Sequence, residues 1–177
     1  TGSCTLNTNG MSWYDVTTVT GGTTTLTSAL DVNRNLTIGA STTLAPGANQ
    51  INVAGNWTKT GTFTAGTSTV VFDGDASHTI DGTTTFNNLT CDAGDTCLFD
   101  DADVFTISGV MAGDGAWRTD DGNNTVDVDC NGSETVSSGQ CVSVDSATGS
   151  VAINTTGTIT DCVNWTTTGS KKLIIVT

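Results

Sequence analysis

Trp13-Tyr14-Asp15-Val16-Thr17, followed by Gly21, Leu26 and Ala29, returns as Phe86-Asn87-Asn88-Leu89-Thr90, followed by Gly94, Phe99 and Ala102; each match is 73 positions apart (13 to 86). After Ala102 the register slips by two, so that Leu30 and Val32 answer to Phe105 and Ile107. A second echo sets Asn35-Leu36-Thr37-Ile38 beside Asn88-Leu89-Thr90-Cys91. Self-similarity in a chain rich in Thr, Gly and Asn, with short apolar alternations, predicts a solenoid of stacked coils rather than a globule around one irregular core.

Short runs around this phrase end in turn residues. Ile51-Asn52-Val53 leads into Gly55-Asn56-Trp57, Val70-Val71-Phe72 into Asp73-Gly74, Thr79-Ile80 into Asp81-Gly82, and Val126-Asp127-Val128-Asp129 into Cys130-Asn131-Gly132. Each joins β-branched or aromatic residues to a Gly, Asn or Asp that tolerates left-handed geometry, which predicts many short strands ending in sharp corners. Alternation then turns Ile51 and Val53, or Val126 and Val128, inward while Asn52 or Asp127 faces water. With 21 Gly, and with Pro46 as its one proline, the chain shows no helical periodicity. A β-sandwich of regular hairpins is the rival architecture.

At 177 residues and 36% hydrophobic content the chain fits one domain with a core. The terminal apolar run Leu173-Ile174-Ile175-Val176 is far short of the roughly 20 residues a spanning helix needs, so no membrane span is expected. No signal peptide is visible, and the opening Thr1-Gly2-Ser3-Cys4 reads as a processed mature form or a fragment of a longer polypeptide. Eighteen acidic against five basic residues give a net charge of −13, which argues against nucleic acid as a partner. Six cysteines, Cys4, Cys91, Cys97, Cys130, Cys141 and Cys162, suit an oxidising compartment and three disulfides in any of 15 connectivities. Local pairing of Cys91 with Cys97 and of Cys130 with Cys141 would staple turns between neighbouring strands. Cys4 and Cys162 would then pair with each other or with another subunit.

The stretches Leu30-Asp31-Val32-Asn33-Arg34-Asn35-Leu36-Thr37-Ile38, Ile51-Asn52-Val53-Ala54-Gly55-Asn56-Trp57-Thr58, Gly61-Thr62-Phe63-Thr64-Ala65-Gly66, Val70-Val71-Phe72-Asp73-Gly74, His78-Thr79-Ile80-Asp81-Gly82 and Thr84-Thr85-Phe86-Asn87-Asn88-Leu89-Thr90 follow one another in an order that resembles the β-strand repeats of very large bacterial cell-surface proteins. The resemblance covers about residues 13 to 110. It implies a right-handed parallel β-solenoid at the cell surface and carries no catalytic residues. About residues 111 to 177 depart from the pattern, and a different cap, a sandwich-like module or an assembly element is expected there within a single domain spanning 1–177.

Solenoids host polysaccharide-acting enzymes, which need a base beside the sugar or two opposed carboxylates. Here Tyr14, His78, Arg34 and Arg118 are scattered in sequence and Glu134 is the single glutamate, so no enzyme is expected. His78 reads as a polar position on a solenoid face. Most aspartates lie in Asp-Gly or Asp-Asp contexts, where a carboxylate caps backbone amides. Asp120, Asp121, Asp127 and Asp129 gather hard oxygen donors of the kind calcium takes, with Asp100-Asp101-Ala102-Asp103 as a weaker second cluster. No other cofactor is expected. The acceptor pattern Asn-x-Ser/Thr occurs at Asn35, Asn56, Asn88, Asn123, Asn131, Asn154 and Asn164, of which Asn35 and Asn88 also fit the turn chemistry of the repeat.

The expected function is structural: a secreted building block of an extracellular filament or surface layer. The apolar strand Leu173-Ile174-Ile175-Val176, next to Lys171-Lys172, is an edge that invites another strand, so the expected partner is a further copy joined head to tail. The alternative is an adhesin stalk or carbohydrate-binding module that stacks cell-surface glycans on Trp57, Trp117 and Trp165.

Overall fold

The computed structural model describes residues 2–19, 21–74, 76–100, 103–113 and 115–119, together with strand segments further on in the chain. The first coil holds β1 (Cys4–Leu6), β2 (Ser12–Trp13) and β3 (Val16–Thr18), and the second holds β4 (Gly22–Leu26), β5 (Leu30–Val32) and β6 (Leu36–Ile38). The third contains β7 (Thr42–Ala45), β8 (Ile51–Val53) and β9 (Trp57–Lys59), and the fourth β10 (Thr62–Phe63), β11 (Thr69–Phe72) and β12 (Ser77–Asp81). Next come β13 (Thr84–Phe86), β14 (Asn88–Cys91) and β15 (Thr96–Phe99), then β16 (Val104–Ile107), β17 (Met111–Ala112) and β18 (Ala116–Thr119). The remaining segments are β19 (Thr125–Cys130), β20 (Val142–Ser143), β21 (Ser150–Thr155) and β22 (Lys172–Val176).

These strands stack into four parallel sheets, ordered β1-β4-β7-β10, β2-β5-β8-β11-β14-β17, β3-β6-β9-β12-β15-β18-β20 and β13-β16-β19-β21-β22. Each strand pairs with its counterpart one coil away rather than with its neighbour in sequence, as in Leu36↔Trp57 and Val53↔Phe72. Sequence-adjacent hairpin strands would be antiparallel. The chain is therefore an all-β solenoid, and the sandwich alternative falls. Among the described residues there is no helix.

The 73-residue echo does not coincide with the coil. Coil partners in the stacked rows stand about a quarter of that distance apart: Val53, Phe72 and Cys91 are spaced by 19 residues (72 − 53 and 91 − 72). The first copy of the phrase rounds the corner from β2 to β3, whereas the second runs from β13 into β14, which belongs to the sheet of β2. A strand, a corner and the next strand select the same residue types wherever the corner lies, so the phrase marks a local unit and not the helical repeat.

Alternation fills the interior. Leu30, Val32, Leu36, Ile38, Ile51 and Val53 are all buried, whereas Asp31, Thr37 and Asn52 between them are partly exposed. Side chains repeat in rows along the stack: Val16, Leu36, Trp57, Ile80 and Phe99 in one, and Leu30, Ile51, Val70, Leu89 and Met111 in another. Each fully buried aliphatic or Phe side chain stabilises the fold by about 1.5–3 kcal/mol. Because coils touch only their neighbours, this stabilisation is distributed along the axis.

Between β10 and β13 one sheet ends and another begins. Trp57, Phe63 and Phe86 span this discontinuity, with ring centroids 4.9 to 5.9 Å apart. A cavity of about 260 Å³ opens there beside Phe63, Phe86 and Asn87. Gly82 makes the turn into β13 at φ +96, and a Cβ there would stand 2.0 Å from the Lys59 carbonyl oxygen, so only glycine fits. Beyond residue 111, the described strands β18 and β20 extend one sheet of the repeat region, and β19, β21 and β22 extend another, all in parallel.

Candidate functional site

The corners are clasped by carboxylates and carboxamides reaching from one coil to the next. Asp15 Oδ1 accepts from the Asn35 amide at 3.1 Å, Asn35 Oδ1 from the Asn56 amide at 3.0 Å, and Asn56 Oδ1 from the Thr79 amide at 2.9 Å. Asn88 repeats the device at another corner, where its Oδ1 accepts from the Val110 amide at 2.9 Å and its Nδ2 donates to Thr69 Oγ1 at 3.2 Å. Asp103 receives the amides of Gly82 and Thr83 from the preceding coil at 2.6 and 2.8 Å. These side chains satisfy amides that the corners leave without a ladder partner. Three of the glycosylation candidates, Asn35, Asn56 and Asn88, are thus members of the clasp. In Asn88 the nitrogen a glycan would occupy is itself bonded. The side chains of Asn123, Asn131, Asn154 and Asn164 lie outside the described residues.

His78 departs from its expected place on a surface face. It is fully buried, with Nδ1 2.8 Å from the Gly55 carbonyl oxygen and Nε2 2.9 Å from Asp95 Oδ1. A carbonyl oxygen can only accept, so the Gly55 contact is one in which Nδ1 donates. Two good hydrogen bonds make the interior position tolerable for an imidazole. Its ring also lies 5.3 Å from that of Phe72. Cys97 stands in register with His78 on the following coil and forms the Cys91–Cys97 disulfide, as the spacing suggested. Cys4 is exposed and carries no disulfide among the described residues; its Sγ is 3.5 Å from Thr24 Oγ1. Cys130 lies in β19 with its side chain undescribed, and Cys141 and Cys162 fall outside the described residues.

The tryptophans expected to stack on sugars belong to the core. Trp57 is 0% and Trp117 2% exposed, because both occupy inward positions of the alternating rows; Trp165 lies outside the described residues. Among the described residues the most exposed rings are Trp13, 39% exposed, and Tyr14, 66% exposed, which no composition argument separates from the buried ones. Tyr14 and Arg34, far apart in sequence, meet: the guanidinium lies 4.6 Å from the ring centroid and forks onto Asp15, with Nε 2.9 Å from Oδ1. The Arg34 hydrogen bond holds the Asp15 carboxyl below the usual aspartate value, and Asp15 in turn raises Arg34. Both groups are exposed, so the pair adds little to stability.

Of the proposed calcium ligands, Asp120 and Asp121 lie outside the described residues, and Asp127 and Asp129 lie in β19 in register with Val104 and Thr106. In the second cluster Asp103 is committed to backbone amides, as above. Among the described residues no three acidic, His or Cys side chains converge on one point. Leu173, Ile174, Ile175 and Val176 lie in β22, the last strand of its sheet, which pairs with β21 on one side.

Asp73 sits at a corner near Asp31, Asp92 and Asp95, with one bond from Asn52 Nδ2 at 2.8 Å. Burial, followed by repulsion from Asp31, raises its carboxyl above the ordinary value, against the pull of Asn52. A raised folded-state value means that the folded protein holds this proton more tightly than the unfolded chain. The ionised carboxylate therefore costs stability at neutral pH, and the cost disappears as pH falls below the ordinary value of 3.8. Asp73→Asn, which keeps an acceptor for Asn52, is expected to raise Tm at pH 7, and the gain should vanish below that value. A gain that persists in acid would assign the effect to packing.

Compared with known protein families, curated proteins and solved structures, the chain matches none.

Proposed function

We propose that this chain is a secreted structural protomer of an extracellular filament or surface layer, joined head to tail through its terminal β-strands. The observation that carries this reading is the polarity of the stack. Because every described strand runs parallel to its partners, the outer edges of β1, β2 and β3 at one end and of β22 at the other offer complementary rather than identical hydrogen-bonding rows. Contacts between unlike ends do not close on themselves and propagate into filaments. An acidic surface with net charge −13 keeps protomers apart sideways while end-on pairing proceeds. A disulfide within the stack suits an oxidising, extracellular location. Loss of Trp57 and Trp117 to the core removes the main support for a glycan-binding module. Negative-stain microscopy of the purified protein is expected to show fibres many protomers long; isolated particles the size of one chain at high concentration would overturn the proposal.

A further inference from the structure

We propose that the Asp95 carboxylate is a latch that shields the Cys91–Cys97 disulfide, so that a dithiol reductant reaches this bond only when a local segment opens. The disulfide closes the short loop from Asp92 to Thr96, and both sulfur-bearing residues are 0% exposed. Within the loop Asp92, Ala93 and Gly94 face solvent, and Asp95, at 3% exposure, is the residue that turns inward.

Asp95 ties the loop to the preceding coil. Its Oδ1 accepts from the Ala76 amide at 2.8 Å and meets His78 Nε2 at 2.9 Å, while the Thr96 amide donates to the Ala76 carbonyl at 2.9 Å. His78 is in turn anchored to Gly55 one coil further back. Cys97 is flanked in register by His78 on one side and Trp117 on the other. Gly115 closes over Cys91, since a Cβ there would lie 2.5 Å from its Sγ. Approach from either neighbouring coil is therefore blocked, and the exposed loop is the way in.

The latch is held against a cost. Asp95 Oδ2 is buried with no hydrogen-bond partner, and an unsatisfied buried carboxylate oxygen opposes the bonds made by Oδ1. Opening hydrates Oδ2 and exposes few apolar groups, so it takes less free energy than unfolding the stack. Once the loop is open, a thiolate of the reductant attacks one sulfur, the S–S bond breaks and a mixed disulfide forms. The second thiol of the reductant then displaces the protein sulfur. Cys91 and Cys97 leave as two thiols, and the reductant leaves as its cyclic disulfide. The corner where Asp95 ties the fifth coil to the fourth is then a reductant-sensitive point in the stack.

The test is native-state reduction of the full chain by dithiothreitol, quenched by alkylation and read by mass spectrometry of the Cys91 and Cys97 peptides. Asp95→Ala is expected to speed reduction at least tenfold with unchanged circular dichroism. The control Leu89→Ala, which removes core packing from the same coil without touching the latch, should change it far less. Equal acceleration by both variants, or none by Asp95→Ala, would overturn the proposal. Should Asp95→Ala fail to fold, the native protein decides. A reduction rate with a shallow urea dependence, matching amide exchange at Ala76, supports a local latch, and a rate following the steep dependence of global unfolding overturns it.

Discussion

Trp57→Ala is expected to destabilise the protein by about 3–5 kcal/mol, the cost of deleting a large aromatic side chain from a buried site. Trp57 is fully buried, stands between Leu36 and Ile80 in one row, and packs edge-on against Phe63 at 4.9 Å and obliquely against Phe86 at 5.2 Å. These contacts bridge the place where the β1-β4-β7-β10 sheet stops and the sheet begun by β13 takes over, the one side on which the fourth and fifth coils, paired elsewhere through β11–β14 and β12–β15, share no ladder. The indole Nε1 is buried without a partner, which makes Trp57→Phe a sharp comparison. Phenylalanine keeps most of the ring contact and removes the unsatisfied donor, so its cost should be well under half that of alanine. Urea unfolding followed by circular dichroism measures both. A small loss for Trp57→Ala would mean that the β11–β14 and β12–β15 ladders carry this region without help from the aromatic cluster.

Residue alternation made the strands and their inward faces legible, self-similarity pointed to stacked coils, and the features that stayed hidden share one physical cause. Leu30-Asp31-Val32 and Ile51-Asn52-Val53 reveal their inward and outward positions directly, because a strand has a period of two. The spacing of Cys91 and Cys97 likewise points to a local staple. Stacking distance does not show in this way. Coil partners such as Leu36 and Trp57, or Cys97 and Trp117, need only be compatible in volume, so rows contain unlike residues and leave no repeated word. His78 follows from the same rule. A polar residue in an alternating run reads as outward, and here the burial depends on Gly55 and Asp95, one in the preceding coil and one in the next. Tyr14, Asp15 and Arg34 also converge only once a coil has closed. What the chain does with its ends is a property of edges, and a strand's sequence is the same whether or not a neighbour covers it.

Deleting residues 171–177 is expected to yield a folded protein that no longer forms filaments. β22 pairs with β21 through Leu173↔Val151, Ile174↔Ala152 and Ile175↔Ile153 and is the outermost strand of its sheet. Ile175 falls in the row that runs through Ile153 and Val128 to the buried Phe105, whereas Ile174 falls in the row of Ala152, Asp127 and the exposed Val104. Burying one apolar side chain at such a junction would contribute about 1.5–3 kcal/mol, and the backbone edge would supply direction. Ile175→Asp, in the register row that leads to the buried Phe105, should accordingly suppress assembly nearly as completely as the deletion. Ile174→Asp, one residue away in the register row that leads to the exposed Val104, should leave filaments intact. Sedimentation of assembled material, with circular dichroism of the soluble fraction, reads both outcomes. Filaments that persist after the deletion would place the junction elsewhere, and a deleted chain that loses its β-type spectrum would make β22 an ordinary structural strand.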